Sequence, residues 1–390
     1  MVAAPVTSAA AAAPAAADAS AWLAELAGAL LPSRRQEDWR FTDLSPLLAI
    51  PTGIAAPSAE PSVAVPADPW TGLSLPAGVE RLTGADAERL LGTALTATGA
   101  ADHWPVRLNA GAAPAPLVLR VRRDGGSLEL PLAAPAGDGL AAWRLLVLLE
   151  PGARLELLQV PSAAPGQRQL LSLVTEVVLA EDARLSLGCL ALGRDDCCLL
   201  NHLVVRQAPG SELLAATVSA GWSLARHEPR VLQERGAAST RLRGLQRVEG
   251  HQLADTHSCV RFEGPEGELD QLHKAVAGGA GRSVFNGAVQ VPRAAQRTNA
   301  AQMSRNLLLS DRARIDTKPE LEIVADDVKC AHGATVSQLQ SEELFYLRSR
   351  GIDAAAAARL LQRAFCEDVL RFLPAAARRH DPISALLGDA

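Results

Sequence analysis

Between residues 116 and 328 apolar and polar positions alternate in short runs separated by turn residues. Leu117-Val118-Leu119-Arg120-Val121 and Val174-Thr175-Glu176-Val177-Val178-Leu179 are examples. Alternation with a period of two puts successive side chains on opposite faces and predicts strands. A unit of the form apolar-x-(Gly/Asp)-Ala-x-Leu recurs through this region. It is clearest at Leu149-Glu150-Pro151-Gly152-Ala153-Arg154-Leu155, Leu179-Ala180-Glu181-Asp182-Ala183-Arg184-Leu185 and Gln207-Ala208-Pro209-Gly210-Ser211-Glu212-Leu213. It returns around Gly236 and Gly264, and as Leu309-Ser310-Asp311-Arg312-Ala313-Arg314-Ile315. Copies lie mostly about 26 to 30 residues apart, too far for hairpins and too close for propeller blades, which suggests a solenoid of stacked repeats. A parallel β-helix fits best. A β-sandwich accounts for the alternation but not for the recurring unit.

Helical signals flank this region. Near the start, Asp18-Ala19-Ser20 opens a helix with Trp22, Leu23, Leu26 and Leu30 on one face and Pro32 as its end. Residues 50–76 are rich in Pro and Ala and read as an extended linker, and residues 85–95 suit a short helix. Near the other end, Ser341 is placed to cap a helix with Glu342 and Glu343 in its first turn, and Gly351 stops it. Asp353 caps a second, longer helix whose apolar stripe is Leu361, Phe365, Val369 and Phe372, ended by Pro374. The expected organisation is a disordered Ala-rich tail over residues 1–17, an N-terminal helical domain with linker over 18–113, a β-helix core over 114–336 and a C-terminal helical domain over 337–390. The fold class is mainly β.

Composition narrows the function. With 390 residues, 48% of them hydrophobic, the chain can bury a large core. A net charge of −5 without a basic block argues against a nucleic-acid partner. No apolar run approaches the roughly 18 residues of a membrane-spanning helix. The first residues carry no basic n-region and no Arg, so neither a signal nor a transit peptide is expected, and the protein is expected in the cytoplasm. The six cysteines, Cys189, Cys197, Cys198, Cys259, Cys330 and Cys366, form no CxxC pair and read as reduced thiols. No phosphate-binding loop, G-x-S-x-G elbow or HExxH helix is present. A binding or scaffold protein is therefore favoured over an enzyme.

Candidate chemistry concentrates at Asp326-Asp327-Val328-Lys329-Cys330-Ala331-His332-Gly333. On a strand Cys330 and His332 point the same way, roughly 7 Å apart at Cα. A thiolate and an imidazole make half of a site for iron, an iron–sulfur cluster or zinc, so the remaining ligands have to come from elsewhere, a partner subunit being an obvious source. A second candidate set runs through His251, Asp255, His257 and Cys259, with His273 further on. It suits a metal or an acid/base pair. The run Gln296-Arg297-Thr298-Asn299-Ala300-Ala301-Gln302-Met303-Ser304-Arg305-Asn306 reads as amides stacked between coils.

Several of these stretches resemble the SufB/SufD family of the SUF iron–sulfur cluster assembly machinery, in its SufD pattern. The likeness is carried by Leu307-Leu308-Leu309-Ser310-Asp311, Thr317-Lys318-Pro319-Glu320-Leu321-Glu322-Ile323, Asp326 to Thr335 and Leu344-Phe345-Tyr346-Leu347-Arg348-Ser349-Arg350-Gly351-Ile352. Arg35-Gln36-Glu37-Asp38-Trp39-Arg40-Phe41-Thr42-Asp43-Leu44 is similar to the N-terminal motif of the family. SufB-like chains typically have a glutamate where Gly333 stands and lack the Lys329-Cys330 pair.

The resemblance implies a right-handed parallel β-helix that pairs with the paralogue SufB. It also implies C-terminal helices that dock the ATPase SufC, with ATP hydrolysis belonging to that partner. It implies that His332, with Cys330 close by, faces the SufB subunit where a nascent cluster or iron is held transiently, nothing being tightly bound by the isolated chain. Leu344, Phe345, Leu361, Phe365, Val369 and Phe372 are the expected SufC-docking residues. Self-association of the chain on its own stays open. Two readings from other classes remain: a β-helix enzyme acting on polysaccharide through Asp255, Glu249 and Arg261, and a stand-alone zinc protein using His251, His257, Cys259 and His273.

Overall fold

The computed structural model describes residues 16–54, 68–194 and 196–388, with side chains from residue 20 onward. The expected disordered tail therefore lies almost wholly outside the described residues, as does most of the Pro/Ala-rich linker.

Two parallel sheets face each other across a common interior. One runs through strands Leu117–Val121, Gly139–Leu149, Gln169–Leu179, Cys198–Gln207, Leu224–Gln233, Leu253–Phe262, Arg282–Val291 and Arg314–Ile323. A short antiparallel strand, Val79–Leu82, covers its first edge. The other contains Asp124–Ala133, Arg154–Ser162, Arg184–Leu192, Glu212–Ala220, Ser239–Val248, Glu268–Ala277, Asn299–Leu308 and Lys329–Gln338. From Leu117–Val121 onward, consecutive strands fall in opposite sheets, and each pairs in parallel with the strand two places along the chain. The chain thus winds as a parallel β-solenoid of about eight turns, as the repeat spacing predicts. Strands of the second sheet begin at Arg154, Arg184, Glu212, Ser239, Glu268, Asn299 and Lys329, so a coil takes about 27 to 31 residues.

The recurring unit is the turn that passes the chain from the first sheet to the second. Its small residue is buried (Ala153 and Ala183 are fully enclosed), and a residue just before it takes positive φ, as Gly152 (69°), Asp182 (59°) and Gly210 (73°) do. At Gly210 a Cβ would lie 2.1 Å from Asp182 Oδ1 of the preceding coil, so stacking leaves no room for a side chain. The copy at Leu309 to Ile315 does not belong to this series. It forms a turn at the opposite edge, between Asn299–Leu308 and Arg314–Ile323, because any tight turn between strands favours small residues.

The interior is aliphatic in the early coils and polar in the later ones. Leu119, Leu130, Leu145, Leu157, Leu173, Leu187 and Leu199 stack in the first half. Later coils place Asn201, His227, Gln246, Thr256, Gln271, His273, Gln302 and Ser304 inward, where Asn201 bonds His227 and Gln246 donates to Thr256. Gln302 donates to Gln271 (2.9 Å) and Gln271 to Ser258 (2.8 Å), the amide stacking expected from the Asn/Gln-rich run.

The N-terminal elements cover the outer face of the first sheet. Helix Ala16–Ala27 buries Leu23 but leaves Leu30 88% exposed, because the helix stops before Pro32. Gly28, at φ 61°, takes its N–H back to Glu25 and lets Ala29 bond Ala24, the paired bonds of a glycine C-terminal stop. Trp39 then packs edge-on against Trp104 at 6.1 Å, and Thr42 donates to the buried Asp255.

Helices Ser341–Ser349 and Ala354–Leu370 follow the last coil. Ser341 is the first residue of its helix and not its cap, Gln340 taking the cap position without a side-chain bond. Asp353 caps the longer helix, accepting from Ala355 N (2.9 Å) and Ala356 N (3.0 Å). That helix lies along the outer face of the second sheet, where Cys366, Val369 and Leu370 join Leu158, Leu190, Val218, Leu245 and Val276 in one apolar cluster.

Candidate functional site

Cys330 and His332 lie on Lys329–Gln338, the final strand of the second sheet. Its register on Asn299–Leu308 pairs Cys330 with Ala300 and His332 with Gln302, and both of those partners are buried in the solenoid interior. The two side chains thus share the inward row, as the alternation predicts. No strand among the described residues pairs with the far edge of Lys329–Gln338 or of Arg314–Ile323. The last coil is therefore an open end. His332 is exposed, Cys330 is half-buried against the core, and Ile323, Val324 and Val336 stand 40, 53 and 47% exposed around them.

Burial pushes the Cys330 thiol up, which favours its protonated form. A cleft at this end is lined by His332, Met303 and Arg305 and by Asp368, Arg371 and Phe372 of the C-terminal segment. The geometry offers one thiol and one imidazole at an uncovered edge. That is fewer ligands than a soft-metal site needs.

The second candidate set does not assemble. His251 sits in the turn before strand Leu253–Phe262, exposed to solvent. Asp255, His257 and Cys259 do share the outward face of that strand, but His273 points into the interior from the other sheet, stacked on Phe285 at 4.4 Å. A sheet separates it from His257, so the stand-alone zinc reading fails on topology. The polysaccharide reading fails on burial. Asp255 is fully enclosed, while Glu249 is exposed in a turn and Arg261 pairs with Glu263 at 2.5 Å.

Asp255 instead belongs to a buried polar network beneath the N-terminal segment. Arg226, 1% exposed, donates to Asp255 Oδ2 (2.6 Å), Glu228 Oε1 (2.6 Å) and Thr42 (2.8 Å), and its guanidinium lies 3.9 Å from the Trp39 ring. His257 Nε2 approaches Asp255 Oδ1 at 3.1 Å. Burial alone would raise the Glu228 carboxyl. Arg226 beside it, with the His103 and His202 imidazoles, holds it well below the usual range. The Asp255 carboxyl is likewise held low against burial by His257 and Arg226.

Arg226, Glu228 and His202 escaped the sequence reading because their meaning lies in register. His202 and Glu228 are direct neighbours in the parallel ladder, and so are Arg226 and Asp255. Aligning the repeats residue by residue would have put them side by side.

The expected docking residues divide. Val369 is fully buried in the cluster between helix and sheet and is a core residue, not a surface one. Phe365 and Phe372 are half-buried beneath Lys274 Nζ (4.0 Å) and Arg243 (4.8 Å), and Leu344 and Leu361 are half-buried. Phe345 and its neighbour Tyr346 remain open, 73 and 58% exposed.

Residues 133–365 match the family described as SUF system FeS cluster assembly, SufBD core domain. The chain belongs to the SufBD family. It is 39% identical over 241 residues to an iron–sulfur cluster assembly SufBD family protein of Synechocystis, covering 60% of this chain and 53% of that protein. Identity is 40% over 202 residues to the chloroplastic protein ABCI7 of Arabidopsis thaliana (52 and 42%), and 36% over 153 residues to the iron–sulfur cluster assembly protein SufD of Escherichia coli (39 and 36%). The chain thus spans about half or less of the length of these relatives. The SufBD core match runs from the early coils into the C-terminal helix and takes in Cys330, His332 and the whole open end. Among the described residues no helix is long and apolar enough to cross a membrane.

Proposed function

We propose that this SufBD-family chain is a SufD-type scaffold subunit, non-catalytic itself, which pairs with a SufB-type paralogue through the open end of its solenoid. Cys330 and His332 supply part of the ligand set for a nascent iron–sulfur cluster or entering iron at that junction. The cluster is cargo, completed by the partner and passed on. The observation that carries the reading is the last coil: two unpaired parallel edges, an exposed apolar rim of Ile323, Val324 and Val336, and an exposed imidazole in the same row as a half-buried thiol. Unpaired edges invite a further strand, and exposed apolar rims commonly mark interfaces. Its place of action is the cytoplasm.

The helices after the last coil are the dock for a SufC-type ATPase, with Phe345 and Tyr346 as aromatic anchors and Leu344, Leu361, Phe365 and Phe372 beside them. Deleting residues 341–390 would uncover the Leu158, Leu190, Val218, Leu245 and Val276 face, so point variants test the dock better. Phe345→Asp should abolish capture of a SufC homologue and leave SufB pairing intact. His332→Ala should leave both contacts intact and cripple cluster assembly in the reconstituted complex. Full cluster yield with His332→Ala, or undiminished SufC capture by Phe345→Asp, refutes the respective assignment.

A further inference from the structure

On the outer face of the first sheet, far along the chain from Cys330 and His332, His103, His202 and Glu228 bring one ligand atom each within 4.8 Å of one another. His202 and Glu228 come from adjacent coils, and His103 immediately precedes helix Trp104–Ala112, which covers them. Glu228 Oε2 lies 3.6 Å from His103 Nδ1 and 3.5 Å from His202 Nδ1. Two ligand atoms bound to one tetrahedral ion at about 2.1 Å stand about 3.4 Å apart. Both distances match that spacing, and both are longer than a good hydrogen bond.

The second observation is His202 itself. It is 1% exposed, and neither of its ring nitrogens has a hydrogen-bond partner. Leaving a buried polar atom unpaired is costly, so an imidazole held this way calls for an occupant. Glu228 is oriented as a metal-binding carboxylate usually is: Arg226 holds Oε1 at 2.6 Å and leaves Oε2 turned to the imidazoles. His103, 24% exposed at its side chain, gives a way in from solvent.

The geometry points to a divalent transition-metal site formed by His103, His202 and Glu228, with its fourth position open. The chemistry also selects the ion. Arg226 and Arg230 both place positive charge near His202, so an ion held by charge alone is disfavoured. Imidazole coordination selects zinc, cobalt or ferrous ion over magnesium or calcium.

The test uses the full chain carrying Cys330→Ser, His332→Ala and Cys259→Ser, which removes the thiol ligands named above and the exposed imidazole. Titration with Co2+ should give one tetrahedral cobalt absorption band per chain, reversed by Zn2+ and not by Mg2+. His103→Asn and His202→Asn should each weaken Co2+ binding at least tenfold. His103 is partly exposed, so its variant should keep the parent's circular dichroism and apo melting curve while losing the rise in melting temperature that Zn2+ gives the parent. Absence of a cobalt band in the parent, an equal band in a folded His103→Asn, or displacement by Mg2+ would each overturn the site.

Discussion

Replacing Arg226 by Met keeps most of the side-chain stem and removes only the charged head. The structure sets the cost. Arg226 is 1% exposed, Glu228 and Asp255 are 5 and 0% exposed at their side chains, and one guanidinium serves both carboxylates. Removing one member of a buried ion pair typically costs about 3–5 kcal/mol, because the partner is left charged and unpaired. Two carboxylates are orphaned, yet neither is stripped bare. Asp255 keeps Thr42 and His257, and Glu228 keeps two imidazoles. Loss of the desolvated contact with Trp39 adds about 1–2 kcal/mol. The expected total is about 4–7 kcal/mol at neutral pH.

The pH dependence gives the sharper criterion. Both carboxyls have depressed folded-state pKa values, so in the parent their contribution is fully present above the unfolded carboxyl range of about 4 and is lost as pH falls through the folded values. In Arg226→Met the guanidinium no longer offsets burial, so both carboxyls rise, Glu228 more than Asp255, which keeps His257 and Thr42. The folded variant then takes up protons, and its deficit shrinks between about pH 7 and about pH 4.5. Solenoids can unfold in parts, so urea titrations should be joined to hydrogen exchange in strand Leu224–Gln233. Adding Glu228→Gln and Asp255→Asn to Arg226→Met should restore part of the stability at pH 7. A loss below about 1 kcal/mol, a deficit unchanged with pH, or no recovery in the triple variant would refute the reasoning.

Three further outcomes follow from the same contacts. Asp353→Ala removes the acceptor of the Ala355 and Ala356 N–H groups and should destabilise the start of the long helix, seen as faster exchange in its first turn. Gly188→Ala puts a Cβ 2.4 Å from Pro374 Cδ, so residues after 370 should become open to limited proteolysis while the solenoid strands stay protected. His332→Ala should shift chain stability by no more than about 0.5 kcal/mol in urea unfolding, because the side chain is exposed on the last strand.

Much of this protein is written locally. Alternation of period two and a small-residue turn once per coil are enough for a parallel solenoid, since each is dictated within a few residues and repeated. The Cys330/His332 row is equally local: two positions on one strand share a face wherever that strand goes. The Asp353 cap and the apolar stripe of the helix after it are read the same way.

What the sequence left open are distances between coils and between layers. Val369 looked like a docking residue because a stripe shows what is apolar and not what covers it, and the second sheet covers it. His251, His257 and His273 looked like one cluster because they are close along the chain, yet a turn and a sheet keep them apart. His103, His202 and Glu228 looked unrelated because up to 125 residues separate them, yet ladder register and an overlying helix bring them within 4.8 Å. Faces are fixed by backbone geometry within a strand. Neighbours are fixed by register and layer packing, which depend on the summed burial of the whole stack.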